Sequence, residues 1–337
     1  MATNDFLPFA VGGSANVLSQ SAYAALSAIA NGYSSGIAQS AALNKTWRQS
    51  SIMAAVLAQF IANQTGANSV DDGTTATLLA NLLAAVKSVS NAVVGTVRNA
   101  KMSVSTASAT ATFTADEIIV ETALGGQTFK VASFSQAINL ATTGAGGMDT
   151  GTAPTSGYVA LYAIYNSTTA TASILAKDAT SAAQPNVYGG ANMPAGYAAS
   201  ALIGVWPTNA SKQFTVGFQL DRQFFTPLIT VLTTTTITTG TTLSIAAGVP
   251  LNAKAANIGV NAQQSGTAAS SLGASVAANS SLIGQQYAQA QGNSAIQQVV
   301  GWMGSIPLVT PQSIWYSFNA TSATSPQLSI YTTGYSF

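Results

Sequence analysis

From Ala255 onward the chain has no Asp, Glu, Lys, Arg or His side chain. Charged residues make up 6% of its 337 residues and hydrophobic ones 47%, where an ordinary soluble domain is about one-quarter charged. Disorder rests on high charge and low hydrophobicity, so this composition points to a chain that folds. It also leaves surfaces with little to keep molecules apart, since the net charge is +1. Copies of the chain, or a larger assembly, are the expected cover. No basic patch exists to release counterions from phosphates, which argues against nucleic acid as a partner. Cys and His are both absent. That removes disulfides, thiol chemistry, the commonest general base and the commonest zinc ligand. The opening "MATNDFLPFA" has neither a basic leader nor a long apolar run, so synthesis in the cytoplasm is expected.

The apolar stretch within "SSIMAAVLAQFIANQTG" runs from Ile52 to Ala62. A bilayer-spanning helix needs about 20 apolar residues, so membrane insertion is not expected. Large residues at 52, 53, 56, 57, 60 and 61 form one stripe at helical period, and alanines fill the opposite side. A helix over 38–63 follows a short one capped by Ser19 or Ser21 and stopped at Asn31–Gly32. After the turn "TGANSVDDGT", Asp72 or Thr74 caps a third helix carrying Leu78, Leu79, Leu82, Leu83 and Val86. Two stripes across a short turn predict a helical hairpin, with the segment before Ser19 extended.

Near Arg98–Lys101 the period falls from 3.6 to 2. Hairpins are predicted with turns at Gly125–Gly126, at Asn166–Thr169 and over Pro207–Lys212, and an aromatic-rich one turning over Ala320–Ser325. Two loops, "TTGAGGMDTGTAPTSG" and "PNVYGGANMPAGY", are too long to be simple connections. Residues 263–300 read equally well as loop or strand. The fold class is therefore α+β, mainly β: a helical region over 1–100, then two antiparallel β-sandwich-like domains over 101–224 and 225–337.

Little in this pattern carries catalysis. Asp116, Glu117 and Glu121 form the one carboxylate cluster, but strand alternation points Asp116 away from the other two. Asp71–Asp72 has no third ligand nearby and reads as a helix cap, so no metal site is expected. "TTGAGGMDTG" lacks the lysine of a phosphate loop and does not open a helix. No enzyme activity and no cofactor are expected. What remains are the aromatics Trp302, Trp315, Tyr316, Tyr331 and Tyr335 among Asn, Gln, Ser and Thr. Flat rings beside hydroxyls and amides suit sugar recognition, and they suit a core equally well, with alternation assigning about half to each.

Several strings point further. "FLPFAVGGSANVLSQSAYAAL" and "GIAQSAALNKTWRQSSIMAAVLAQFIANQTG" resemble the amino-terminal region of tail-fibre proteins of tailed bacteriophages and prophages. "TADEIIVETALGG", "INLATTGAGGMDTG", "SGYVALYAIYN" and "PNVYGGANMPAGY" resemble the region that follows in those proteins, and "IPLVTPQSIWYSF" and "SIYTTGYSF" their tips. The resemblance implies a homotrimeric virion protein of the tail. It would be held by other tail proteins at its amino end, through residues such as Trp47, Ile52, Val56, Phe60, Leu78 and Leu82. Its carboxy end would meet a glycan or outer-membrane protein of the host through the aromatics above. A structural virion component, such as a connector or decoration protein, is the alternative.

A binding tip without ionisable groups leads to the first prediction. Its affinity for a cell surface should change little between about pH 5 and 8, where only histidine ordinarily titrates. It should also fall less than about tenfold between low and high salt, because screening acts only on charges. Titrating labelled protein onto cells across both ranges checks this.

Overall fold

The computed structural model describes residues 2–88, 92–265, 270–292, 296–322 and 324–337, without the side chains of 87–88, 265, 292, 296–300, 302–303 and 324. It is mainly β, 43% strand and 15% helix, with antiparallel sheets and a helical amino-terminal region. It falls into two compact units, Met1–Asn91 and Ala92–Phe337.

In the first unit, Ser19 caps α1 (Gln20–Ala24) by accepting from the Ala22 amide. After α2 (Ala28–Asn31), Gly32 takes a φ of 74°, a conformation that costs a residue with a Cβ. The long helix α3 (Ser40–Thr65) stops at left-handed Gly66, and α4 (Ala76–Ser88) packs beside it. The leading segment is extended along α3. Asn4 bridges Ser69, its side chain donates to the Ala55 carbonyl at 3.0 Å, and the Phe9 amide donates to Ser51 Oγ at 2.8 Å. Asp72 accepts from both the amide and the hydroxyl of Thr74, which also hold its carboxyl below its usual range. It thus shapes the turn two residues ahead of α4 and does not cap the helix itself.

The α3 stripe departs from the expectation in one respect. Ala58, Ile61 and Ala62 take the buried side, while Ile52, Met53, Val56 and Leu57 remain exposed. Small residues let the chain approach α3 closely: the buried Ser69 hydroxyl reaches the Ala58 carbonyl at 2.9 Å, which no bulky side chain at 58 would allow. Helical periodicity located the face but not its direction.

In the second unit the strands, starting with β1 (Val97–Arg98), form, among the described residues, a 12-stranded sheet and a 4-stranded one. Two predicted hairpins occur. β3 (Thr110–Glu121) pairs with β4 (Thr128–Asn139) across Gly125–Gly126, where a Cβ on Gly126 would lie 2.5 Å from Thr122 Oγ1. β5 (Tyr158–Asn166) pairs with β6 (Thr171–Asp178), and Asn166 Oδ1 holds the turn by accepting from the Thr168 and Thr169 amides.

The other two predicted hairpins are replaced by crossings. β7 (Ala199–Pro207) pairs with β5, while β8 (Gly217–Leu220) lies between β2 (Lys101–Val104) and β9 (Gln223–Thr234). Asn209 still makes the expected turn, accepting from Ser211 and Gln213, but only the single bridge Thr208–Phe214 links its two arms. Likewise β15 (Ser313–Thr321) joins β10 (Thr238–Ser244) and β12 (Ser270–Ala277) in the small sheet. β16 (Thr324–Ser336) runs between β11 (Ala255–Ser265) and β9 in the long one. Each arm has a buried apolar face, Ile314, Tyr316 and Phe318 on one and Leu328 and Ile330 on the other. Facing each other across a core buries both rows, whereas pairing side by side would leave a second cover to be found. β13 (Gln286–Gly292) and β14 (Ile296–Pro307) complete the tip, so 263–300 contributes strands and the connection over 278–285, while 266–269 and 293–295 lie outside the described residues.

The boundary expected between 224 and 225 falls inside β9, and strands from both sides share the long sheet and one core. Trp206 on β7 meets Phe224 on β9 edge-on at 4.6 Å, and Phe224 lies 4.9 Å from Tyr335 on β16. The Tyr335 hydroxyl donates to the Val205 carbonyl at 2.7 Å. Arg222 is bound in beside them, donating to the main-chain oxygens of Phe337 at 2.7 Å and Leu202 at 3.1 Å, with its guanidinium over the Phe337 ring.

This core gives a stability prediction. Burial raises the hydroxyl pKa of Tyr158, Tyr162 and Tyr335 above the ordinary 10.0. Below pH 10 both states keep these protons and the full stability is present; above it the unfolded chain releases them first and stability falls. The denaturation midpoint should therefore hold steady between about pH 6 and 9 and drop beyond 10. Tyr335→Phe, which strands the Val205 carbonyl, should cost about 1–3 kcal/mol at neutral pH in urea unfolding.

Candidate binding surface

The features that suggested chemistry in the sequence are taken up by structure. Glu121 is buried and accepts from the Gly125 amide at 3.3 Å within the β3–β4 turn, and Asp116 accepts from the Asn99 side chain. The cluster is divided between separate local tasks. In the loop after β4, the amides of Gly144, Gly146, Gly147 and Met148 all donate to carbonyls, so none is left to cradle an anion. That loop is tied to the second long one: Tyr188 donates to Asp149 Oδ2 at 2.8 Å and stands edge-on to Tyr162 at 5.4 Å. The Tyr162 hydroxyl in turn reaches the Pro185 carbonyl at 2.7 Å. Among the described residues there is no cluster of three or more potential metal ligands, and no helix is long and apolar enough to cross a membrane.

The five carboxy-terminal aromatics separate. Tyr335, 1% exposed, and Tyr316 are buried in the core, and Trp315 is half-buried. Its indole lies flat on Gly240 of β10, where a Cβ would come within 2.3 Å of the ring. Trp302 sits in β14 opposite Gly259, and its side chain lies outside the described residues. Tyr331 lines an open hollow, of about 310 Å³, on the outer face of the long sheet.

The hollow is built by register. Gly259 on β11 stands directly opposite Tyr331 on β16, so the strand beside the ring offers it no side chain. Gly301 and Val260 pair across β14 and β11 to continue the floor. Leu228 on β9, 57% exposed, closes one side, and Asn261 and Thr333 supply polar groups. Leu228 follows Pro227, which lies where the β9–β16 register shifts between Phe225 and Ile229. Pro has no amide hydrogen to give a ladder, and an irregularity is where a sheet tolerates it. Leu228 also borders a second hollow of about 370 Å³ lined by Thr208, Thr226 and Pro227. Phe218 and Phe225, cross-strand partners on β8 and β9, are exposed as well. Sequence reading missed Leu228 and this pair. Alternation in "GFQL" and "QFFTP" would have marked Phe218 and Phe225 as facing opposite to Phe224, but not which face was outer. An aromatic wall, an apolar floor and a few amide and hydroxyl groups can hold a neutral polyhydroxylated ligand by its C–H face.

On the helical unit, the residues expected to serve attachment fall into two places. Ile52 and Val56 line a hollow of about 470 Å³ with Leu7 and Val11 of the leading segment. Leu78 and Leu82 line a groove of about 290 Å³ with Ala54, Leu57 and Ile61. Phe60 is half-buried, and exposed Trp47 meets Phe9 edge-on at 5.8 Å.

No family model and no curated protein sequence matches the chain. Among solved structures, a Bacillus thuringiensis Cry1Da tryptic core variant aligns with 72% of this chain at 7% identity and a TM-score of 0.17. The chain spans about half of that protein, 52% of its length. A score this low carries no argument about fold or function.

The hollow's walls give the third prediction. Tyr331→Ala should lower affinity for a carbohydrate-bearing cell surface by about tenfold, the scale of one lost ring contact at about 1–1.5 kcal/mol. The melting temperature should shift far less than for Tyr335→Ala, whose ring is enclosed.

Proposed function

We propose that the chain is a tail fibre of a tailed bacteriophage or prophage. Made in the host cytoplasm and carried on the virion tail, it is fixed to other tail proteins by its amino-terminal region, within residues 1–100. It binds the host surface, a glycan or an outer-membrane protein, through the carboxy-terminal part of the β unit, whose strands share one long sheet and one core with those before them. It works as a homotrimer without cofactor, metal or catalytic step. The observation that most supports this reading is the division of labour between surfaces. The helical unit exposes apolar side chains suited to protein partners, and the β unit offers an uncharged hollow walled by Tyr331. The resemblance of its ordered strings to those of tail fibres supports the same reading.

Recognition in such a protein is non-covalent and gains from number. Three modest sites on one fibre, and several fibres on one particle, multiply a weak single-site affinity. The competing reading, a connector or decoration protein, draws on the same apolar helical surface but gives the Tyr331 hollow no task.

The deciding experiment mixes the full-length labelled chain with whole bacteria of candidate hosts, and separately with isolated virion tails. Saturable binding to cells that Tyr331→Ala weakens supports the fibre. Binding to tails with no binding to any host able to propagate the phage supports the structural component instead.

A further inference from the structure

We infer that the exposed face of α3 is a contact between copies of this chain, the ridge at Met53 of one copy seating in the α3–α4 groove of the next. The inference rests on the fibre reading only in its expectation that copies associate, and it adds where and how.

At about 100° per residue, Met53 and Phe60 fall on one line along α3, flanked by Val56 and Leu57. Met53 is 68% exposed and forms the crest. To one side lies the hollow shared with the leading segment, whose lining includes Asn4 and Gln59. To the other lies the α3–α4 groove, lined wholly by apolar residues, among them Leu57, Ile61, Leu78, Leu79 and Leu82. Of the two, only the second matches a crest of purely apolar character. A methionine, unbranched and polarisable, suits an irregular apolar groove of this kind.

Three further observations favour a second copy as the occupant. No ionisable residue occurs over 49–70 or over 73–86, so two such faces meet without like-charge repulsion. Leu79, Leu83 and Val86 of α4 are exposed as well, so the apolar surface extends past the groove, as an interface of the standard ~800 Å² per partner requires. Finally, crest and groove are different surfaces of one element. A contact of one with the other is head-to-tail, which closes into a ring when the rotation allows and does not stop at a pair. A foreign protein would have to bring a matching crest, while every copy of this chain already has one.

The test uses the full-length chain. Light scattering after size exclusion should give a multiple of the single-chain mass of 33.9 kDa. Met53→Glu, at a solvent-facing position, should reduce it to one chain with the circular dichroism spectrum unchanged. Because the chain has no native Cys, single thiols report on proximity. Oxidising Met53→Cys chains mixed with size-tagged Leu79→Cys chains should give mixed cross-linked pairs in at least fivefold excess over either variant alone. A wild-type mass of one chain overturns the inference. So does an oligomer that Met53→Glu leaves intact, and cross-linking only between like positions overturns the crest-in-groove arrangement. Failure to bind cells with the oligomer preserved counts against receptor binding and leaves this contact standing.

Discussion

Trp206, Phe224 and Tyr335 sit on three strands separated by long stretches of sequence, and their rings touch in series. Each brings a different part of the β unit to the same point. β7 carries β5 and β6 with it, β9 joins the long sheet to β8 and β2, and β16 brings the tip strands β11 and β14. The two polar groups this stack would otherwise bury unpaired are both settled, the Tyr335 hydroxyl on the Val205 carbonyl and the Trp206 indole N–H on the Thr215 carbonyl. Arg222 lies at its margin with its charge desolvated and its pKa pulled down by burial, its guanidinium held by main-chain oxygens of Phe337 and Leu202. The register of the outer face depends on that inner alignment: Tyr331 faces out four residues before Tyr335 because Thr332, Gly334 and Tyr335 are buried around an irregular pairing.

The shortage of charge acts differently on the two units. The β unit meets it by closure, enclosing large aromatics and answering polar groups with main-chain partners. Fully buried Gln219 donates its Nε2 to the carbonyls of Ile203 and Asp221, while its Oε1 has no hydrogen-bond partner among the described residues. The helical unit has too few residues to enclose its own apolar side chains, and Leu7 and Ile37 stand 78% and 98% exposed. Its exposure is the expression of a small unit with an apolar composition.

What was legible in the sequence follows the range of the interaction that decides it. Ser19, Gly32 and Gly66 act within one helical turn, and Gly125–Gly126 and Asn166 within one hairpin, so their signals survive in short strings. The crossing after β7 and the arch between β15 and β16 depend on which distant strand offers the better cover, and no local residue records that. The same holds for the aromatics. Tyr331 and Tyr335 have the same local chemistry, yet the irregular pairing between them puts one beside a glycine and the other under Trp206's neighbour Phe224. The direction of the α3 stripe was hidden for a related reason, since Ala58 and Ala62 bury well only where another backbone comes close.

The place of β16 has a consequence for the order in which the molecule can assemble. It is an interior strand of the long sheet, with β11 on one side and β9 on the other, although it follows both in the sequence and is synthesised after them. Until it arrives, both neighbours present bare, uncharged edges, and Phe224 lacks one of its ring partners. The long sheet is thus completed only after synthesis of the whole strand, by pairings far apart in sequence that form slowly. During that interval the open slot between β9 and β11 accepts any strand of similar pattern, and a neighbouring nascent chain carries an identical one. Exchange of β16 between chains is the misassembly this topology invites, and also a route by which chains translated together would become entwined.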